Sequence, residues 1–106
     1  MPQAKDLAPT IIDIKNAVGL CYDVDIKALE VSKRGQVKEP RNVAIYLSRK
    51  HSGLPLAEIG KEFGCIKYST VSNVVRRIEN RLADSDQLSK IITSIRERLS
   101  IGQRKI

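Results

Sequence analysis

The residues with the most chemistry to offer stand together. Lys67, Tyr68, Ser69 and Thr70 open a stretch that continues through Asn73, Arg76 and Arg77. Between them Val71, Val74, Val75, Ile78 and Leu82 recur at helical spacing. One side of this helix is therefore apolar, and its first turn is rich in hydrogen-bond donors and cations. Just upstream, Leu56, Ile59 and Phe63 form a shorter apolar stripe that stops at Gly64. A short helix, a glycine turn and a second helix docked by one face make a helix-turn-helix. Its second helix offers that first turn to the major groove of a duplex. Lys67, Tyr68 and Ser69 are the candidate base readers. A lysine donates to guanine O6 and N7, a tyrosine can bond a base or lie on a thymine methyl, and a serine donates or accepts. The competing structural reading has Tyr68 packing over Ile66 and Thr70 capping the helix.

Charge supports a polyanionic partner. The 106 residues carry a formal charge of +7 and a pI near 9.7, unevenly placed. Residues 1–32 hold three lysines against five acids, whereas residues 33–50 hold six Lys/Arg against Glu39 alone. Residues 67–82 hold four Lys/Arg against Glu79. The positive charge thus falls on a loop with the helix after it, and on the second helix of the motif. The expected contacts to the DNA backbone or minor groove are Lys33, Arg34, Lys38, Arg41, Arg49, Lys50, Leu56, Thr70, Asn73, Arg76 and Arg77. A merely solvated basic face is the alternative for the cations. Of Arg76 and Arg77, one is expected to face DNA while the other pairs with Glu79 or Glu30.

Other chemistries lack their residues. A single histidine, His51, cannot build a histidine-based metal site or serve several catalytic roles. Cys21 and Cys65 have neither CxxC nor Cys/His spacing, so no metal is expected and a reducing cytosol fits them. Gly60-Lys61-Glu62 lacks the residues of a phosphate-binding P-loop, so no nucleotide cofactor is expected in this chain. No cofactor and no catalytic residues are assigned, and the chain is not expected to be an enzyme by itself. No apolar run approaches the ~18 residues that span a bilayer, and MPQAKDLAP has no apolar stretch of a secretory signal.

Six helices are needed to position the motif. The first is expected over Ile11–Tyr22, with Thr10 as N-cap and Asp13 as its capping-box partner, burying Ile11, Ile14, Val18 and Cys21 or Tyr22. A short second helix follows Asp25, from Ile26 to about Val31. After the basic loop Ser32–Glu39, Pro40 suits the first position of a third helix that ends near His51 before Gly53. That helix should bury Val43, Ala44 and Leu47, with Tyr46 a further candidate. The fourth covers about Leu56–Phe63, with Gly64 as a left-handed cap. The fifth covers about Tyr68–Ala83. The sixth covers about Asp86–Leu99, capped by Ser85 and burying Leu88, Ile91, Ile92, Ile95 and Leu99. Residues 1–9 are expected to be a flexible tail, 10–100 one domain, and 101–106 a frayed end. With no period-two segment, the fold class is all-α.

Three segments carry a family resemblance: TIIDIKNAVGLCYDVDIKAL, EPRNVAIYLSRKHSGLPLAEIGKEFG and TVSNVVRRIENRL. Together they resemble the C-terminal DNA-binding domain of the bacterial replication initiator DnaA, over about Thr10–Ser100. The resemblance implies a six-helix fold of the Trp-repressor-like helix-turn-helix type. It also implies an arginine in the basic loop that enters the minor groove, and a major-groove helix that reads bases. Lys33, Arg34 and Lys38 are all candidates for the groove cation. The family starts its reading helix with G-G-R-D-H-T-T-V, where this chain has Gly64-Cys65-Ile66-Lys67-Tyr68-Ser69-Thr70-Val71. The Asp-His readers are thus Lys67-Tyr68. An aspartate accepts from a cytosine amino group, which a lysine cannot do. The Tyr-Ser start resembles the DnaA-like domain of transposases associated with repetitive palindromic elements.

The expected function is sequence-specific binding of double-stranded DNA, in replication initiation or its regulation, in the bacterial cytoplasm at the nucleoid. An ATPase or transposase module would lie elsewhere, and no membrane partner is expected. The alternatives are recognition of DNA ends or repeats related to transposition, and a helical protein-interaction adaptor that has lost DNA binding. RNA fits less well, given the shortage of stacking aromatics.

Overall fold

A computed structural model of the chain describes residues 10–30, 39–64 and 67–103. Six helices follow one another: α1 (Ile11–Tyr22), α2 (Ile26–Glu30), α3 (Glu39–His51), α4 (Leu56–Glu62), α5 (Tyr68–Asp84) and α6 (Asp86–Gln103). The described residues contain no strand. The expected basic-loop cations Lys33, Arg34 and Lys38, and the turn residues Cys65 and Ile66, lie outside the described residues.

Local chemistry sets most boundaries. Thr10 has extended backbone; its Oγ1 accepts from the Asp13 N–H at 3.1 Å, and the Asp13 carboxylate accepts from the Thr10 N–H at 3.2 Å. The reciprocal pair satisfies two donors that the first turn leaves open. Ser85 Oγ caps α6 by accepting from the Leu88 N–H at 3.1 Å. Past α3, Gly53 has φ 77, and past α4, Gly64 has φ 94. Both conformations cost a glycine little and strain residues that carry a Cβ. Two ends differ from expectation. α3 begins at Glu39, so Pro40 is its second residue, and α6 runs past Leu99 to Gln103. Leu88, Ile92, Ile95 and Leu99 are buried along its inner face.

The core is aliphatic, with Phe63 its one aromatic ring. α3 is the central element, packed against α1, α2, α4 and α5. This explains why it buries more than one stripe: Ile45 and Ser48 are enclosed along with the expected Val43, Ala44 and Leu47, while Tyr46 is half-buried. Ser48 Oγ donates back to the Ala44 carbonyl at 2.8 Å, which satisfies a hydroxyl that water cannot reach. On α5, Val71, Val74 and Ile78 are buried, whereas Val75 and Leu82 flank the core partly exposed. On α6, Ile91 is likewise at the margin.

Candidate nucleic-acid interface

The start of α5 is open. Lys67 takes the N-cap position with φ −70 and ψ 152, and its side chain makes no capping hydrogen bond. Lys67, Tyr68, Ser69 and Thr70 are all exposed, with Tyr68 at 66 % of its full surface. Tyr68 is thus not folded over the core. Thr70 is not the cap either; its backbone N–H donates to the Lys67 carbonyl at 3.0 Å inside the first turn. Further along, Asn73, Arg76 and Arg77 are exposed. Ser69, Asn73 and Arg76 recur at intervals of four and three residues, opposite Val71, Val74 and Ile78. They share the outward face, with Thr70 and Arg77 on one flank.

The other flank meets the end of α3. Arg49, Lys50, Ser72, Val75, Arg76 and Glu79 line a shallow cleft there. This brings Arg76, rather than Arg77, beside the cations that close α3. Glu79 does not pair with Arg76; its carboxylate accepts from Lys50 Nζ at 2.9 Å. That hydrogen bond raises the lysine's pKa, and the ammonium also lies 5.7 Å from the Tyr46 ring centre. Among the described residues Arg49, Lys67, Arg76 and Arg77 form no ion pair. His51, half-buried at the same helix end, has its pKa lowered by burial first, then by Arg96 and Lys50.

Arg41 corrects an expectation. Expected at the DNA backbone, it is only 7 % exposed and its Nη2 donates to the Phe63 carbonyl at 2.6 Å. Its guanidinium is therefore turned inward, and burial lowers its pKa. Leu56, expected at the DNA backbone too, is half-buried against the core from the first turn of α4. Lys15 was missed altogether. It is 1 % exposed, its Nζ donates to the Glu62 carbonyl at 2.8 Å, and it sits 5.0 Å from the Phe63 ring centre and 3.6 Å from the Glu62 carboxylate. The sequence signal was its place between Ile14 and Val18, inside the stripe that α1 buries.

Behind the interface, Glu39 at the start of α3 accepts from the Tyr22 hydroxyl at 2.7 Å and pairs with Arg81 of α5 at 3.1 Å. Burial, then the Glu39 hydrogen bond, push the Tyr22 pKa well up. The described residues hold no cluster of three or more metal-ligating side chains, and none of their helices is long and apolar enough to cross a membrane.

Comparison with known proteins agrees with this architecture. The family described as bacterial dnaA protein helix-turn-helix matches residues 11–78. Chromosomal replication initiator proteins DnaA from three strains of Streptococcus thermophilus are each 39 % identical over 90 residues, which is 84 % of this chain and 20 % of the relative. The chain thus spans about a fifth of the length of these relatives.

Proposed function

This chain belongs to the bacterial DnaA helix-turn-helix family, and from that we infer that it binds double-stranded DNA in a sequence-dependent way, in replication initiation or its control. α5 lays its first turn in the major groove, where Lys67, Tyr68 and Ser69 meet base edges. Thr70, Asn73, Arg49, Arg76 and Arg77 approach phosphates alongside, Lys50 joins them when released from Glu79, and Lys33, Arg34 or Lys38 supplies the minor-groove cation. The observation that carries this reading is the first turn of α5: uncapped by its own side chain, exposed, and backed by a fully buried opposite face. A helix start of that kind presents donors and the positive end of the helix dipole outward, where an anionic duplex is favoured.

Selection of bound sequences from a random duplex library tests it. The expected result is a defined site that differs from the standard initiator box, with a guanine where the family's aspartate would meet cytosine. Failure to enrich any sequence, together with no affinity for duplex at low salt, would leave the interaction-adaptor reading. That reading draws on Ile12 and Leu20, which are exposed on the outer side of α1. Salt separates the two, because phosphate-driven binding weakens by orders of magnitude as salt rises and apolar docking does not.

A further inference from the structure

The C-terminal end of α4, just before the turn into α5, is held by two buried cations from two other helices. Lys15 of α1 donates to the Glu62 carbonyl, and Arg41 of α3 donates to the next carbonyl, Phe63. These are the groups left open where α4 ends, and they carry the negative end of its dipole. Each cation is more than nine-tenths buried. Three residues separate the second carbonyl from Lys67, the first of the base readers. The end of α4, from which the chain leaves toward α5, is therefore tied to α1 on one side and to α3 on the other. α3 also carries Arg49, at the cleft it shares with Arg76.

We infer that Lys15 and Arg41 are positioning residues for sequence recognition: they set where the first turn of α5 stands relative to the phosphate-binding end of α3, without touching DNA. The inference rests on the DNA-binding reading above. Base contacts are lost when donors move by a fraction of an ångström to an ångström, whereas phosphate attraction tolerates such movement. A clamp on the turn should then act on discrimination and leave general affinity alone. A phosphate-contacting arginine acts the opposite way, weakening all sequences about equally and taking ~1 from the salt slope.

The experiment compares the full chain with Lys15→Met and Arg41→Lys variants, well below their melting temperatures. The probes are the duplex that the wild type selects from a random library and a scrambled duplex of equal length. Lys15→Met keeps the side chain's length without the charge, and Arg41→Lys keeps the charge without the forked reach. The expected result is a loss of about tenfold in the selected-to-scrambled affinity ratio, the size of one base contact. Affinity for the scrambled duplex and its log–log salt slope should stay as in the wild type. Amide exchange should quicken at Phe63–Thr70 and not in α6, which separates loosening of the turn from general destabilisation. If Arg41→Lys or Lys15→Met instead weakens both duplexes equally and lowers the slope, the residue contacts phosphate and the inference is overturned. Variants as selective as a selective wild type overturn the inference alone. A wild type that selects nothing overturns the base-reading proposal, and the clamp's role in recognition with it.

Discussion

If α5 reads bases as proposed, Lys67 and its neighbours set what the surface discriminates, and each contribution can be separated by mutation. Lys67→Ala should relax one position of the selected site, costing about 1–3 kcal/mol of discrimination there, while non-specific binding stays mostly intact. Replacing Lys67 by Asp together with Tyr68 by His should move the preferred site toward the standard initiator box; repeating the library selection on that variant is the check. If the native chain itself returned that unmodified box, readout by Lys67 would be excluded, and Ser69, Thr70 and Asn73 would carry the reading. His51 supplies a second prediction at this scale. Its pKa lies below the ordinary value because burial and the nearby Arg96 and Lys50 disfavour its charged form. The unfolded chain therefore binds a proton more readily than the folded one. Stability from this residue is complete above the unfolded value of ~6.5 and falls as pH drops toward the depressed folded value. Melting temperature should decline on acidification, and His51→Gln should flatten that decline; an unchanged pH profile would show that the imidazole contributes nothing. The open first turn of α5 was legible in the sequence because polar residues at a helix start have a recognisable composition. The inward turn of Arg41 was not, and for Lys15 only its place in the buried stripe of α1 pointed to burial. A sequence states that a side chain is charged, and only the tertiary arrangement reveals two backbone carbonyls waiting for it inside.

At the level of helices, legibility followed the strength of the local signals. Capping residues at Thr10 and Ser85 and left-handed glycines at 53 and 64 marked four helix ends directly. At the end of α6 no such signal stands, and the helix runs on to Gln103, past the last buried residue of the expected register, Leu99. Periodicity also described α5, which buries one stripe, better than α3, which is enclosed on several sides and hides Ile45 and Ser48 as well. On the proposed reading, α5 itself carries a conflict between stability and recognition. Its N-cap is a lysine that caps nothing, at a position where Ser, Asp, Asn or Thr would bond an open amide. Lys67→Ser should therefore stabilise the chain by about 0.5–2 kcal/mol in urea unfolding while it weakens base discrimination. A loss of stability would mean that the lysine does structural work the described contacts do not reveal. By contrast Ile78→Ala, deep against the core at 1 % exposure, should cost about 2–5 kcal/mol.

Over the whole molecule, burial and ion pairing reduce the cationic surface that composition suggested. Arg41 is spent on a carbonyl, Arg81 is tied to Glu39, and Lys50 is tied to Glu79. Arg49, Arg76 and Arg77 remain exposed and form no ion pair among the described residues. The net charge therefore overstates the number of phosphates that can be neutralised. With those three and two or three loop cations in contact, the log–log salt slope should be about −4 to −6, from roughly 0.9 per phosphate. Arg49→Ala should bring it ~1 closer to zero, lowering affinity for all duplexes alike. Glu79→Gln should act in the other direction. It removes an acid from the cleft lined by Arg49 and Arg76 and releases the Lys50 ammonium toward the phosphates. Non-specific affinity at low salt should rise, with a slope steeper by as much as ~1. The pair is exposed on both sides, so its loss should change stability by less than about 1 kcal/mol. Titration of a scrambled duplex across a salt series, with wild type and Glu79→Gln in parallel, measures both effects. Equal affinities and slopes would mean that Lys50 stays away from the backbone, and that DNA engages α5 from the Arg77 flank instead.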